Sequence, residues 1–84
     1  MKGKHRKTLE AIFSKPTKAN IKFRDIEILI KALGGEVREG SGSRVALELS
    51  GTREYAHRPH PGKEVKIYTV EKIRDWLTSL EVTP

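Results

Sequence analysis

Two adjacent glycines, Gly34-Gly35, separate stretches of different apolar period, and that change constrains the fold more than any other feature. Before them, Phe23, Ile26, Ile30 and Leu33 fall at i, i+3, i+7 and i+10, with Leu29 on the same side. That spacing predicts an amphipathic helix whose stripe is core. Asp25 and Glu27 in its first turn and Lys31 near its last suit the helix dipole. The glycines end it, one taking the left-handed position at the C-terminus. After them the period is 2. Glu36–Glu39 reads as a short strand and Gly40-Ser41-Gly42-Ser43 as a turn. Arg44–Leu49 then alternates, with Val45, Leu47 and Leu49 on one face and Arg44, Ala46 and Glu48 on the other. Ser50-Gly51-Thr52 predicts a second tight turn and Arg53–His57 a third strand. Either Tyr55 and His57 or Ala56 and Arg58 face inward on it.

The helical period returns at both ends of the chain. Leu9, Ile12 and Phe13 predict a short amphipathic helix over residues 4–14, broken at Lys15-Pro16-Thr17 because the residue before a proline is pushed out of helical φ/ψ. In the link that follows, Ile21 is expected to pack inward. After Lys66-Ile67-Tyr68, Thr69 is the expected N-cap of a last helix with Val70, Ile73, Leu77 and Leu80 on its stripe. Trp76 flanks that stripe and is expected in the core, its indole N–H needing a partner. The order α-α-β-β-β-α gives an α+β, two-layer fold, a three-stranded antiparallel sheet with helices on one face. Residues 1–84 make one domain, with 1–22 a basic helix and link and 23–80 the core.

The 84 residues include no cysteine, so no disulfide or thiolate site staples the fold. A chain of this size buries roughly 60% of its unfolded surface, and its stability rests on that modest core. No apolar run reaches the ~20 residues that cross a bilayer. The basic N-terminus runs into Glu10, Ser14 and Lys15 instead of a hydrophobic signal region. The expectation is a soluble cytoplasmic protein without membrane contact. The net charge of +6 is unevenly placed. Residues 1–24 carry Lys2, Lys4, Arg6, Lys7, Lys15, Lys18, Lys22 and Arg24 against Glu10 alone, while residues 25–84 come to −1. Such an arm attracts polyanions by counterion release, and nucleic acid is the usual one in a cytoplasm.

Chemistry concentrates in His57-Arg58-Pro59-His60-Pro61-Gly62-Lys63-Glu64-Val65, which holds two of three histidines and two of four prolines. Proline removes a backbone donor and fixes φ, so the stretch reads as a stiff strand exit. His57 and His60 are candidate catalytic residues, because imidazole serves as general acid or base near neutral pH. Metal-free RNA cleavage needs such a base for the ribose 2′-hydroxyl, a cation for the phosphorane and an acid for the leaving oxygen. The alternative is that the histidines hydrogen-bond across a turn. Arg44 and Ser43 at the Gly-Ser turn, with Arg58, Lys63 and Lys66, are candidate phosphate contacts. No third ligand accompanies the two histidines, so no metal site or cofactor is expected. No nucleophile triad, carboxylate dyad or nucleotide fingerprint is present.

The order of motifs over residues 23–80 resembles the HicA family, the toxin half of a bacterial type II toxin–antitoxin pair. The resemblance runs through Leu33-Gly34-Gly35-Glu36-Val37, the Gly42-Ser43 turn opening a strand, Pro59-His60-Pro61-Gly62-Lys63-Glu64, and Ile73 and Leu77 in a final helix. It implies a fold similar to double-stranded-RNA-binding domains. It also implies ribosome-independent mRNA endoribonuclease activity and inhibition by a HicB antitoxin. The family's catalytic histidine follows the Gly-Ser turn, where this chain has Arg44. Arginine stays protonated and cannot be an ordinary general base. Either His57 or His60 then supplies proton transfer, with His60 singled out by the motif, or the chain is a non-catalytic RNA-binding or antitoxin-binding module. The His57-Arg58-Pro59-His60-Pro61 form marks a HicA-like subgroup, with a basic helix at residues 4–14 that shorter members lack.

Overall fold

A computed structural model describes residues 3–60 and 62–84. Lys2 of the basic arm and Pro61 of the proline-histidine-proline element lie outside them. The order is α1 (Gly3–Ile12), α2 (Phe23–Ala32), β1 (Glu36–Glu39), β2 (Arg44–Leu49), β3 (Thr52–His57) and α3 (Ile67–Ser79). The strands form an antiparallel meander with β2 in the centre. Helices α2 and α3 cover one face, and α1 packs on those two helices. This is the predicted α+β architecture.

Alternation along the strands fixes which face the helices take. Val45, Leu47 and Leu49 are buried with Ile26, Leu29 and Ile30 of α2 and Val70, Ile73 and Leu77 of α3. On β3 it is Ala56 that is buried, while Tyr55 and His57 are exposed. That settles the orientation left open by the sequence. Being two residues beyond Ala56, Arg58 turns toward the helices.

The breaks follow from local chemistry. Gly34 takes φ +92°, Gly34 N–H donates to the Lys31 carbonyl (3.0 Å) and Gly35 N–H to that of Ile30 (2.9 Å), a Schellman closure of α2. Gly35 is needed for a different reason, since a Cβ there would run into the Glu48 carbonyl oxygen of β2. Between β2 and β3 the turn is Ser50-Gly51, both at positive φ (53° and 75°), as a two-residue hairpin of right-handed twist requires. Thr52 therefore belongs to β3, one residue earlier than expected. Trp76 is buried, and its indole N–H donates to Thr52 Oγ1 (2.9 Å), which donates to the Leu49 carbonyl (2.8 Å).

Thr69 is not the N-cap of the last helix. The cap is Lys66, in extended conformation (φ −64°, ψ 148°), and Thr69 is buried within the first turn. The cause lies one residue upstream. Val65 is buried, and its N–H donates to the Ile21 carbonyl (2.8 Å) while Phe23 N–H donates to that of Lys63 (2.9 Å). This short bridge, Lys22 opposite Glu64, holds the chain extended through Val65 and lets it turn immediately afterwards. Ile21 is buried there, as expected.

Helix α1 is fastened as well as packed. Leu9 and Ile12 are buried, and Arg74 of α3 donates to the Ile12 carbonyl (2.9 Å), the Ser14 carbonyl (3.1 Å) and Thr17 Oγ1 (2.8 Å). A guanidinium thus satisfies carbonyls left open at the end of the helix and meets its negative dipole end. Truncating Arg74 to Ala is expected to cost about 2 kcal/mol, the scale of charged hydrogen bonds in partly buried sites. Urea unfolding measures the loss, and amide exchange should rise first over residues 3–14. Unchanged exchange there would show that packing alone holds α1.

Candidate functional site

Residues at the exit of β3 and at the start of α3, with Ser43, line a cleft of about 290 Å³ at the edge of the sheet. Its lining includes Ser43, His57, His60, Glu64, Lys66 and Tyr68. Of the seven residues singled out in the sequence, Ser43, His57, Arg58, His60 and Lys66 line this cleft, and Arg44 and Lys63 do not. A larger depression of about 460 Å³ lies between the Gly34–Glu36 and Leu49–Thr52 turns, and no histidine lines it.

The cleft is assembled by the last rung of the β2–β3 ladder. Arg58 N–H donates to the Ser43 carbonyl (2.7 Å), which fastens the Gly-Ser turn to the strand exit. Ser43 Oγ then stands 3.5 Å from His57 Nδ1, a long contact at the limit of a hydrogen bond. His57 and His60 are both exposed, so a ligand can reach either ring.

Arg58 serves chiefly as an internal clamp. Its Nη1 and Nη2 donate to Glu27 Oε1 (3.1 Å) and Oε2 (2.9 Å) on α2, Nη2 also lies 3.2 Å from Glu39 Oε1 at the end of β1, and its guanidinium carbon sits 5.3 Å from the centre of the Phe23 ring. Hydrogen bonding to Glu27 pushes Arg58 further above its ordinary pKa. Its forked donors are occupied by carboxylates of this chain, which leaves it less free for phosphate than its sequence position suggested.

Arg44 lies on the outer face of the sheet. It is the Cα partner of His57 across the β2–β3 pair, and its guanidinium carbon is 5.1 Å from the centre of the Tyr55 ring. The Arg58-to-Ser43 bond brackets this pair as the non-hydrogen-bonded kind, in which Cα atoms stand about 4.5 Å apart. Arg44 thus stands beside His57 just outside the cleft. Elsewhere on that face Arg38 bonds Glu48 (2.9 Å) and Glu36 (3.1 Å), and Arg53 also pairs with Glu48. Hydrogen bonding to Arg38 holds the Glu48 carboxyl below the usual carboxylate range.

Of the lining residues that the sequence did not single out as site candidates, two matter for the chemistry of the cleft. Tyr68 is 64% exposed, on the first turn of α3, and offers an aromatic face at the cleft. Glu64 contributes a carboxylate on the same wall. The signal for Tyr68 was its position off the apolar stripe, which is evident only once the helix is known to begin at Ile67. Among the described residues, no group of three or more His, Cys, Asp or Glu could hold a metal ion. No described helix is long and apolar enough to cross a membrane.

Substituting Arg58 by Lys removes the planar fork while keeping the charge. The expected loss is about 1 kcal/mol, reduced because the side chain is partly exposed, and the ring-proton NMR signals of His57 and His60 should shift. If stability and both signals stay unchanged, Arg58 does not position the cleft.

A search of curated proteins and one of solved structures gave no match. A family model described as HicA toxin of bacterial toxin-antitoxin matches residues 23–81, from the first residue of α2 to just beyond α3. That span covers the sheet, both flanking helices and the histidine cleft, and the chain belongs to the HicA toxin family.

Proposed function

We propose that this toxin is a metal-independent endoribonuclease that cuts mRNA, and so inhibits translation, until a HicB-like antitoxin binds it. The observation that carries the reading is the pair of exposed imidazoles, His57 and His60, on one cleft with Ser43, Lys66 and Tyr68. In this reading residues 1–84 act as one cytoplasmic domain, with α1 as an addition to the family core.

One imidazole takes the proton from a ribose 2′-hydroxyl. The freed oxygen attacks the adjacent phosphorus, the P–O5′ bond breaks, and the second imidazole protonates the departing 5′ oxygen. The products are a 2′,3′-cyclic phosphate and a 5′-hydroxyl. The phosphorane carries extra negative charge, which Arg44, the cross-strand partner of His57, and Lys66 on the cleft wall stabilise. Ser43 donates to a phosphate oxygen, Lys63 adds charge on the approach, and Tyr68 stacks a base, a sequence-tolerant contact. Arg58 holds the wall in place through Glu27. His60 is the preferred proton-transfer residue, because it lies in the proline-histidine-proline element of the family resemblance.

One observation favours a second reading, an RNA-binding or antitoxin-binding module without catalysis. Arg44 stands after the Gly-Ser turn, where the resemblance implies a catalytic histidine. The two readings separate in one experiment, with induced expression and purified mRNA. The nuclease reading expects wild type to arrest growth and cut mRNA to cyclic phosphate ends, and His60→Ala and His57→Ala each to cut at least about 100-fold more slowly, the usual contribution of a general acid or base. Wild-type protein that binds RNA but leaves it intact supports the module. Full activity in His60→Ala removes that residue from the mechanism.

A further inference from the structure

Four of the seven arginines, Arg38, Arg53, Arg58 and Arg74, are engaged within the molecule, while Arg6, Arg24 and Arg44 are exposed and make none of the ion pairs among the described residues. Of those ion pairs, all but one are made by Arg38, Arg53 or Arg58, and the exception is Lys72 with Glu54. Arg74 is committed to the end of α1. Lys4, Lys7, Lys18, Lys22, Lys63 and Lys66 are all exposed and take part in none of these pairs.

Their placement is not scattered. Lys4 and Lys7, one turn apart on α1, face Lys18 and Asn20 of the link across a depression of about 340 Å³ that also includes Asp25. The link then runs antiparallel to the segment after His60, with Lys22 opposite Glu64 and Phe23 N–H on the Lys63 carbonyl. The backbone pairing therefore carries the row of lysines from α1 to the loop holding Lys63 and Lys66, and Lys66 lines the histidine cleft. Because Arg74 ties the end of α1 to α3, the row belongs to a fixed surface.

We infer that Lys4, Lys7 and Lys18, with Asn20, form a second phosphate-binding site that grips single-stranded RNA away from the cleft, joined to it by Lys22 and Lys63. The inference rests on the RNA reading of the cleft and extends it to residues outside the family match, which begins at Phe23. The surface suits a polyanion better than a protein partner. Protein interfaces are depleted in lysine and built on aromatic and apolar anchors. Here the apolar residues of the depression are Ile21, which is buried, and Ala11, which is partly so. Lysine makes a mobile point-charge contact with a phosphate, independent of base identity.

The test uses full-length protein and 2′-O-methyl RNA, which lacks the hydroxyl a cleaving base attacks. Two oligonucleotides are compared, one long enough for the cleft alone and one several times longer. Wild type should bind the longer strand more tightly. In Lys4→Gln/Lys7→Gln/Lys18→Gln, affinity for the short strand should be unchanged and affinity for the long one should fall about tenfold or more. The salt slope on the long strand should drop by about 2, three contacts at about 0.7 each for single strands. Lys31→Gln, a neutralised lysine elsewhere, should have little effect. The inference is overturned if the triple variant binds the long strand like wild type, or if Lys31→Gln loses as much. Loss of antitoxin binding with RNA binding intact overturns it in favour of a protein contact. Wild type that binds neither strand removes the RNA reading of the cleft itself.

Discussion

The contact between Arg58 and Glu27 is the constraint on which the site depends. Three segments distant in sequence meet there: the exit of β3, the middle of α2 and, through Glu39, the end of β1. Strand alternation sends Arg58 toward the helices, on the side of Ala56, and leaves His57 on the opposite face. The bidentate fork against Glu27, with Phe23 under the guanidinium, then stops the chain from peeling off the sheet after its last ladder bond. His57 precedes that anchor by one residue and His60 follows it by two. A loop with two exposed imidazoles is thereby held at both ends, the far end by the Lys22–Glu64 bridge. Forked carboxylate pairing is a task for arginine rather than lysine, whose single ammonium cannot hold two oxygens in a plane.

That requirement explains how the chain distributes its positive charge. Arg38 and Arg53 bridge Glu48 on the outer face, where the register sets Glu36 directly opposite Glu48 and the two carboxylates would otherwise repel. Arg74 closes α1. With these arginines engaged inside the molecule, the exposed surplus is largely lysine, concentrated on α1, the link and the loop beside the cleft. Net charge alone does not reveal this division, because a guanidinium bound to glutamate and an ammonium in water count equally toward +6.

Much of the fold was legible because it is periodic. The stripe of α2, the change of period at Gly34-Gly35 and the alternation of Val45, Leu47 and Leu49 each express one geometry in several residues. What failed depended on single tertiary contacts. Thr69 has the chemistry of an N-cap, but Val65 pairing with Ile21 fixes the turn at Lys66, and nothing local to Thr69 reports that. The inward side of β3 was undecided because Tyr55, Ala56 and His57 carry no strong alternation. The sequence offered a cluster of histidines and phosphate-binding types as site candidates, and five of those seven residues line one cleft. The role of Arg58 was hidden, since Glu27 lies 31 positions away. Tyr68 was hidden by the same misplaced cap, for a residue assigned to a link shows no helical face.

The arginine after the Gly-Ser turn bears on the proposed mechanism through its neighbour. Arg44 is the direct cross-strand partner of His57, so a change at one position is felt at the other. A histidine in place of Arg44 would put an imidazole on the outer face of the sheet, beside Tyr55. With Arg44 there, the two exposed imidazoles of the cleft belong to the strand exit, and a permanent cation stands across the strand pair from His57. Phosphoryl cleavage needs both kinds of group, and on the proposed reading their positions are exchanged. The strand that offers a catalytic histidine in the family pattern supplies charge, and the proline-stiffened exit supplies proton transfer. Such an exchange requires the exit to be rigid, because an acid or base acts only within hydrogen-bond reach of the atom it serves. On that reading, the Arg58 clamp and the Lys22–Glu64 bridge, which fix the backbone on either side of His60, are the contacts that catalysis with an arginine at position 44 would depend on.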